Sequence, residues 1–93
     1  EIEVWLEFRR VLFRSSLIED ANITLRVYNL LGEEMNTLAL NRALGKGNHR
    51  FIWAGKDDHG RQLPSGVYLY RMEVNSLQGQ RLYQSTKKMI LMK

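Results

Sequence analysis

After position 20, no ten-residue stretch of this chain returns its apolar residues with the 3.6-residue period of a helix. A chain that cannot lay an apolar stripe along a helix must bury its apolar side chains from strands, and the strand signals here are frequent. Ile23, Leu25 and Val27 alternate with Thr24, Arg26 and Tyr28, which predicts a half-buried strand over 22–29. Leu30-Leu31-Gly32-Glu33-Glu34 ends it, with Gly32 free to take the positive φ of a tight connection. Residues 35–40 are expected to pair back antiparallel. Gly45-Lys46-Gly47 marks the next turn, and residues 48–53 follow with His49, Phe51 and Trp53 on one face. Residues 54–66 form a polar connection rich in turn formers. Val67 to Val74 is β-branched and aromatic on both faces, as a central strand requires. A turn over 75–79 returns the chain through a final strand, 80–92. The reading is all-β, a small antiparallel sandwich.

Composition sets limits on partners and chemistry. Ninety-three residues make one domain, and 44% apolar content with a single proline describes a chain that folds. With no cysteine there is neither a disulfide framework nor a thiolate zinc site. No apolar run approaches the roughly 20 residues of a membrane helix, so membrane insertion is not expected, and the first fifteen residues lack the order of a secretory leader. The net charge of +4 is concentrated at the end, where residues 79–93 hold Arg81, Lys87, Lys88 and Lys93 and no acid. Without an aromatic-rich groove or Arg-Gly pattern, this reads as a solvated basic edge, and nucleic acid is not an expected partner.

Residues 1–15 stand apart from 16–93. Ile2, Val4, Leu6 and Phe8 alternate with Glu1, Glu3, Trp5 and Glu7 in strand fashion, yet Arg9 to Ser15 contains no turn former and meets the next element without a boundary. Leu12-Phe13-Arg14-Ser15 is also what the end of a common sequencing adapter, CTCTTCCGATCT, encodes in one frame. The segment is read as a translated read artefact, the alternative being a genuine amphipathic first strand.

Few residues suggest a reaction. Asp57 and Asp58 near Gly60 invite a calcium loop, but there is no acid at 59, 61, 62 or 63 to complete the 6–8 oxygens that calcium takes. Ser65, His59 and Asp57 or Asp58 supply the residue types of a catalytic triad, crowded into one turn-rich loop where its geometry is hard to reach. No enzyme activity, metal or cofactor is expected. Trp53 is read as the core anchor, Gly55, Asp57 and Gly60 as turn residues, and Pro64-Ser65-Gly66 as a rigid entry to the central strand. Tyr68 and Tyr70 share a face, which suits either core packing or a sugar platform, for which Trp5 is a separate candidate. At the chain end, Lys87-Lys88-Met89-Ile90-Leu91-Met92-Lys93 brackets four apolar residues with lysines. Such a run is buried on both faces, or keeps one face for a partner.

Three blocks in order carry a resemblance. They are Ile23-Thr24-Leu25-Arg26-Val27-Tyr28-Asn29-Leu30-Leu31-Gly32-Glu33-Glu34, then Trp53-Ala54-Gly55-Lys56-Asp57-Asp58-His59-Gly60-Arg61 with Pro64-Ser65-Gly66-Val67-Tyr68-Leu69-Tyr70-Arg71, then Thr86 to Lys93. Over about residues 17–93 the chain resembles the immunoglobulin-like C-terminal sorting domain (type A) of bacterial type IX secretion, a relative of the Ig-like domain of flagellar hook-capping proteins. Two departures stand out: Ala54 follows the tryptophan where the family usually has Asp, and the family's upstream Asn-Pro-Phe-type stretch and first strand are displaced by residues 1–15.

The resemblance implies an Ig-like sandwich with Gly32, Trp53, Gly55, Asp57, Gly60, Pro64, Gly66 and Tyr68 as structural signature. It implies a non-catalytic export signal in which Lys87, Lys88, Met89, Ile90, Leu91, Met92 and Lys93 are recognised by the type IX translocon or its sorting machinery. An upstream cargo of the same polypeptide would travel through the periplasm to the cell surface or medium, and the domain is typically cleaved on arrival. The chain-terminal position of the lysine-bracketed strand favours this over a structural Ig-like module of a hook-capping or surface protein. A carbohydrate-binding sandwich is the third reading.

Overall fold

The computed structural model describes residues 2–92. Its strands are β1 (Ile2–Glu7), β2 (Arg10–Leu17), β3 (Ala21–Tyr28), β4 (Glu34–Leu44), β5 (Gly47–Trp53), β6 (Gly66–Ser76) and β7 (Arg81–Leu91). They form two sheets, ordered β1-β2-β5 and β4-β3-β6-β7, with every neighbouring pair antiparallel. The sandwich read from the strand rhythm is the one observed.

Alternation decides which side chains meet between the sheets. β2 turns Val11, Phe13 and Leu17 inward, β3 turns Ala21, Ile23, Leu25 and Val27, and β6 turns Tyr68, Tyr70, Met72 and Val74. Trp53 at the end of β5 is the largest of the fully buried side chains. Two aromatic pairs bridge the sheets edge-on, Phe13 with Tyr70 and Trp53 with Tyr68, each with ring centroids 5.2 Å apart. That edge-to-face geometry places the positive ring edge against the negative ring face. β6 lies between β3 and β7, but only one of its faces is buried. Val67, Leu69, Arg71, Glu73 and Asn75 form an outer row that turns polar after Leu69, so the expectation of a strand apolar on both faces holds only at its start.

The boundary read at Ser16 falls inside β2. Val11 and Phe13 are fully buried, and β2 pairs along its length with β5, from Val11 opposite Trp53 to Leu17 opposite Gly47. The lane beside β5 is one the fold needs filled, because an empty lane would leave the inner face of β5 and the Trp53 ring open to water. β4 is longer than the predicted 35–40. Its pairing with β3 slips between Ile23 and Leu25, and Asn41 takes a φ of 45° and donates its backbone N–H to Thr24 Oγ1 at 3.0 Å. This is a bulge, and the extra residue breaks the alternation that would have revealed the full strand.

Candidate recognition surface on the C-terminal strand

The loop from Trp53 to Tyr68 is built for holding, and its polar groups are occupied by one another. Trp53 donates its indole N–H to the Lys56 carbonyl at 2.9 Å. Gly55 has a φ of 76°, and a Cβ there would stand 2.9 Å from Gln62 Nε2 and 3.1 Å from the Leu91 methyls, so no other residue fits without displacing its neighbours. The Gly55 carbonyl accepts from the Leu63 backbone at 2.8 Å and from Gln62 Nε2 at 2.9 Å. Asp57 Oδ1 accepts the backbone N–H groups of His59 and Arg61, and Oδ2 accepts Arg61 Nε, all at 2.9 Å. Led by the Arg61 backbone N–H, these bonds hold the Asp57 carboxyl below its usual range. Tyr68 donates its hydroxyl to the Pro64 carbonyl at 2.6 Å, tying the start of β6 back to the loop; burial pushes its phenol up.

Asp58 faces the other way. Its N–H reaches the Met35 carbonyl at 2.9 Å, and its Oδ1 accepts the Thr37 N–H at 3.0 Å. The loop thereby covers the first turn of backbone along the open edge of β4, and Asn36 Nδ2 adds a bond to the Lys56 carbonyl at 2.7 Å. Both aspartates serve the fold. Tyr68 and Tyr70 are only 6% and 3% exposed, so the sugar platform considered from their shared face is not at the surface. Their faces point into the sandwich, where each packs against an aromatic ring of the opposite sheet.

The C-terminal run is split by the pleat. Met89 and Leu91 point inward and are 4% and 0% exposed, whereas Ile90 and Met92 point outward at 48% and 41%. The four apolar residues therefore do two jobs: the inward pair belongs to the core and is not offered to a partner. Lys93 lies outside the described residues. Across the sheet, Ile90 stands opposite exposed Val67 and Lys88 opposite Leu69, which itself faces Tyr28. The result is an apolar strip on the outer face at one end of the sheet.

Charges further along that face are paired. Arg26 reaches Glu34 at 3.3 Å, Arg71 reaches Glu73 at 3.5 Å, and Arg81 reaches Glu73 at 2.9 Å and Asn75 at 2.8 Å. None of the ion pairs among the described residues includes Lys87 or Lys88. Lys88 lies on the outer face, while Lys87 lies on the core-side row opposite Tyr70, and both are exposed. The two ammonium groups thus flank the free edge of β7, one on each side. Sequence reading finds these lysines and the apolar run, but not the division of labour within it, because four consecutive apolar residues carry no alternation.

With this geometry in view, comparison with known proteins assigns a family. The family described as FlgD Ig-like domain matches residues 10–78. The chain belongs to that family. Among solved structures it is similar to FLGD from P. aeruginosa, with a TM-score of 0.67 and 24% identity over 83% of this chain and 58% of that one. It is also similar to dimeric latent PorU from Porphyromonas gingivalis, with a TM-score of 0.74 and 25% identity over 98% of this chain but 9% of that one. No curated protein matches. The chain thus spans little more than half of the first structure and a small part of the second. The family match confirms the Ig-like sandwich and takes in the first two sequence blocks, whereas the third, Thr86 to Lys93, lies beyond residue 78.

Proposed function

We propose that this Ig-like domain is a non-catalytic export signal that carries an upstream cargo of the same polypeptide through bacterial type IX secretion. The observation that carries the reading is the two-sided β7. Met89 and Leu91 lock the strand into the core, while Lys87, Lys88, Ile90 and Met92 are held in fixed positions at the surface. A recognition element needs both properties, a rigid mounting and displayed groups. The resemblance of the three blocks to type IX sorting domains supports it, as does the fit of nearly the whole chain to one small part of PorU. The partners are then the type IX translocon or its sorting machinery, and the destination is the cell surface or medium by way of the periplasm.

The same fold suits a structural module that spaces or docks neighbours, and the likeness to FLGD keeps that reading as the second one. Residues 1–15, on this account, stand in the lane of the family's own first strand; reading the genomic codons upstream of Ser16 tests that directly. The functional test fuses the chain to the C-terminus of a periplasmic reporter in a type IX-competent cell and in the same cell lacking the translocon. Translocon-dependent reporter at the surface or in the medium supports export, and reporter retained in the periplasm of both supports the structural module.

A further inference from the structure

Edge strands are the places where a sheet can still grow, and in this fold they are treated unequally. β4 is blunted at both ends of its open side. Asp58 bonds to Met35 and Thr37, Asn36 bonds to Lys56, and the bulge at Asn41 twists the last residues of the strand. β5 has seven residues and begins at Gly47 with a φ of 124°. β1 has six and carries Glu3 and Glu7. β7 is different, with eleven residues, no glycine or proline, no positive φ, and its one register shift confined to its start, where Leu82 is the extra residue between Arg81 and Tyr83. Among the described residues its outer edge is hydrogen-bonded only at the far end, where Arg9 donates its backbone N–H to the Met92 carbonyl at 2.5 Å and Phe8 forms a bridge to Met92.

We infer that the open edge of β7 accepts an extended acidic segment of a partner protein as a fifth strand of the β4-β3-β6-β7 sheet. The inference rests on the reading of β7 as the recognition element and adds how it is engaged. Two observations select the occupant. Lys87 and Lys88 flank the edge on opposite sides of the sheet and have no carboxylate partner among the described residues. An added strand alternates its side chains across the same two faces, so adjacent acidic residues would meet one lysine each. A second copy of this chain is disfavoured, since Arg81 to Met92 contains three basic residues and no acid, and self-pairing sets like charges together. Docking on the apolar outer face would engage Lys88 but leave Lys87 on the wrong side.

That asymmetry makes the test. The probe is a fluorescent peptide of about ten residues alternating valine and threonine around a central Glu-Glu pair, with a Lys-Lys peptide as control. Titrated into the full chain, the Glu-Glu peptide should bind, weaken with salt, and slow amide exchange along β7. The variants Lys87→Glu and Lys88→Glu should each weaken it by about tenfold or more at unchanged melting temperature, and the Lys-Lys peptide should not bind. Loss with Lys88→Glu but not Lys87→Glu would overturn the inference in favour of face docking. Protected β7 amides in a concentration-dependent dimer of the chain alone would overturn it in favour of self-pairing. Absence of binding to the unmodified chain would also overturn it. Export in cells separates the two claims. If the parent fusion stays in the periplasm while the parent chain binds the Glu-Glu peptide and the variants do not, the export reading fails and strand addition stands. If export is lost without peptide binding by the parent, the export reading stands and strand addition fails.

Discussion

Substituting Leu91 and Ile90 separately by alanine examines the two-sided strand at neighbouring positions. Leu91 is fully buried, and its methyls lie 3.1 Å from where a Cβ on Gly55 would sit, in a loop pinned by the Trp53, Gln62 and Leu63 hydrogen bonds. Walls held that firmly cannot collapse into the space left by a smaller residue. Leu91→Ala should therefore cost about 3–5 kcal/mol, the upper part of the range for a buried leucine. Ile90 is half exposed and packs only along the outer face, so Ile90→Ala should cost less than about 1 kcal/mol, mostly lost strand propensity. For a domain of this size each kcal/mol moves the melting temperature by about 4–8 °C, so the two variants should melt at least about 10 °C apart. Urea unfolding followed by far-ultraviolet circular dichroism gives the same comparison through the midpoint at constant slope. Equal shifts for the two variants would refute the assignment of faces along β7.

The rest of the fold yields further expected outcomes. Trp53→Ala should cost about 3–5 kcal/mol, as for other large core aromatics, and an unchanged urea midpoint would remove Trp53 as the anchor of the core. Asp57 has a lowered carboxyl pKa in the folded chain, so its contribution is complete above the usual carboxylate range and disappears as pH falls through the lower folded value. The Asp57→Asn variant should lack that acid-limb loss; parallel stability curves for variant and parent below about pH 4 would contradict the loop's hydrogen bonding. Deleting residues 1–15 removes Val11 and Phe13 from the core and strips β5 of its neighbour, so it should cost more than about 3 kcal/mol. An unaltered melting curve would show that the lane beside β5 is dispensable.

Where side chains alternate, sequence and structure agree closely. β3, β5, β6 and β7 lie within a few residues of their predicted spans, and Trp53 is buried with its indole N–H satisfied, as its size and chemistry demand. β4 is legible only in part, because the bulge at Asn41 shifts the phase of its apolar residues. The β1–β2 hairpin carries no turn signal, since Arg9 occupies the position with a φ of 68° that glycine or asparagine usually fills. Identical side-chain types also conceal direction. Tyr68 and Tyr70 are as compatible with a platform as with a core until the opposite sheet supplies Trp53 and Phe13. In the run 89–92, only the register against β6 tells which pair faces inward. The flanking of the β7 edge by Lys87 and Lys88 depends on strand order, which local sequence does not encode.

The most direct test of the central claim changes the displayed groups of β7 and leaves its buried ones alone. Truncating residues 87–93 would remove Met89 and Leu91 from the core and confound recognition with unfolding. The combined variant Lys87→Glu, Lys88→Glu, Ile90→Ser and Met92→Ser keeps the inward side chains and should melt within a few degrees of the parent. Fused to a reporter in a type IX-competent cell, it should leave the reporter in the periplasm while the parent fusion reaches the surface or medium. Equal export of the two fusions would contradict recognition through β7.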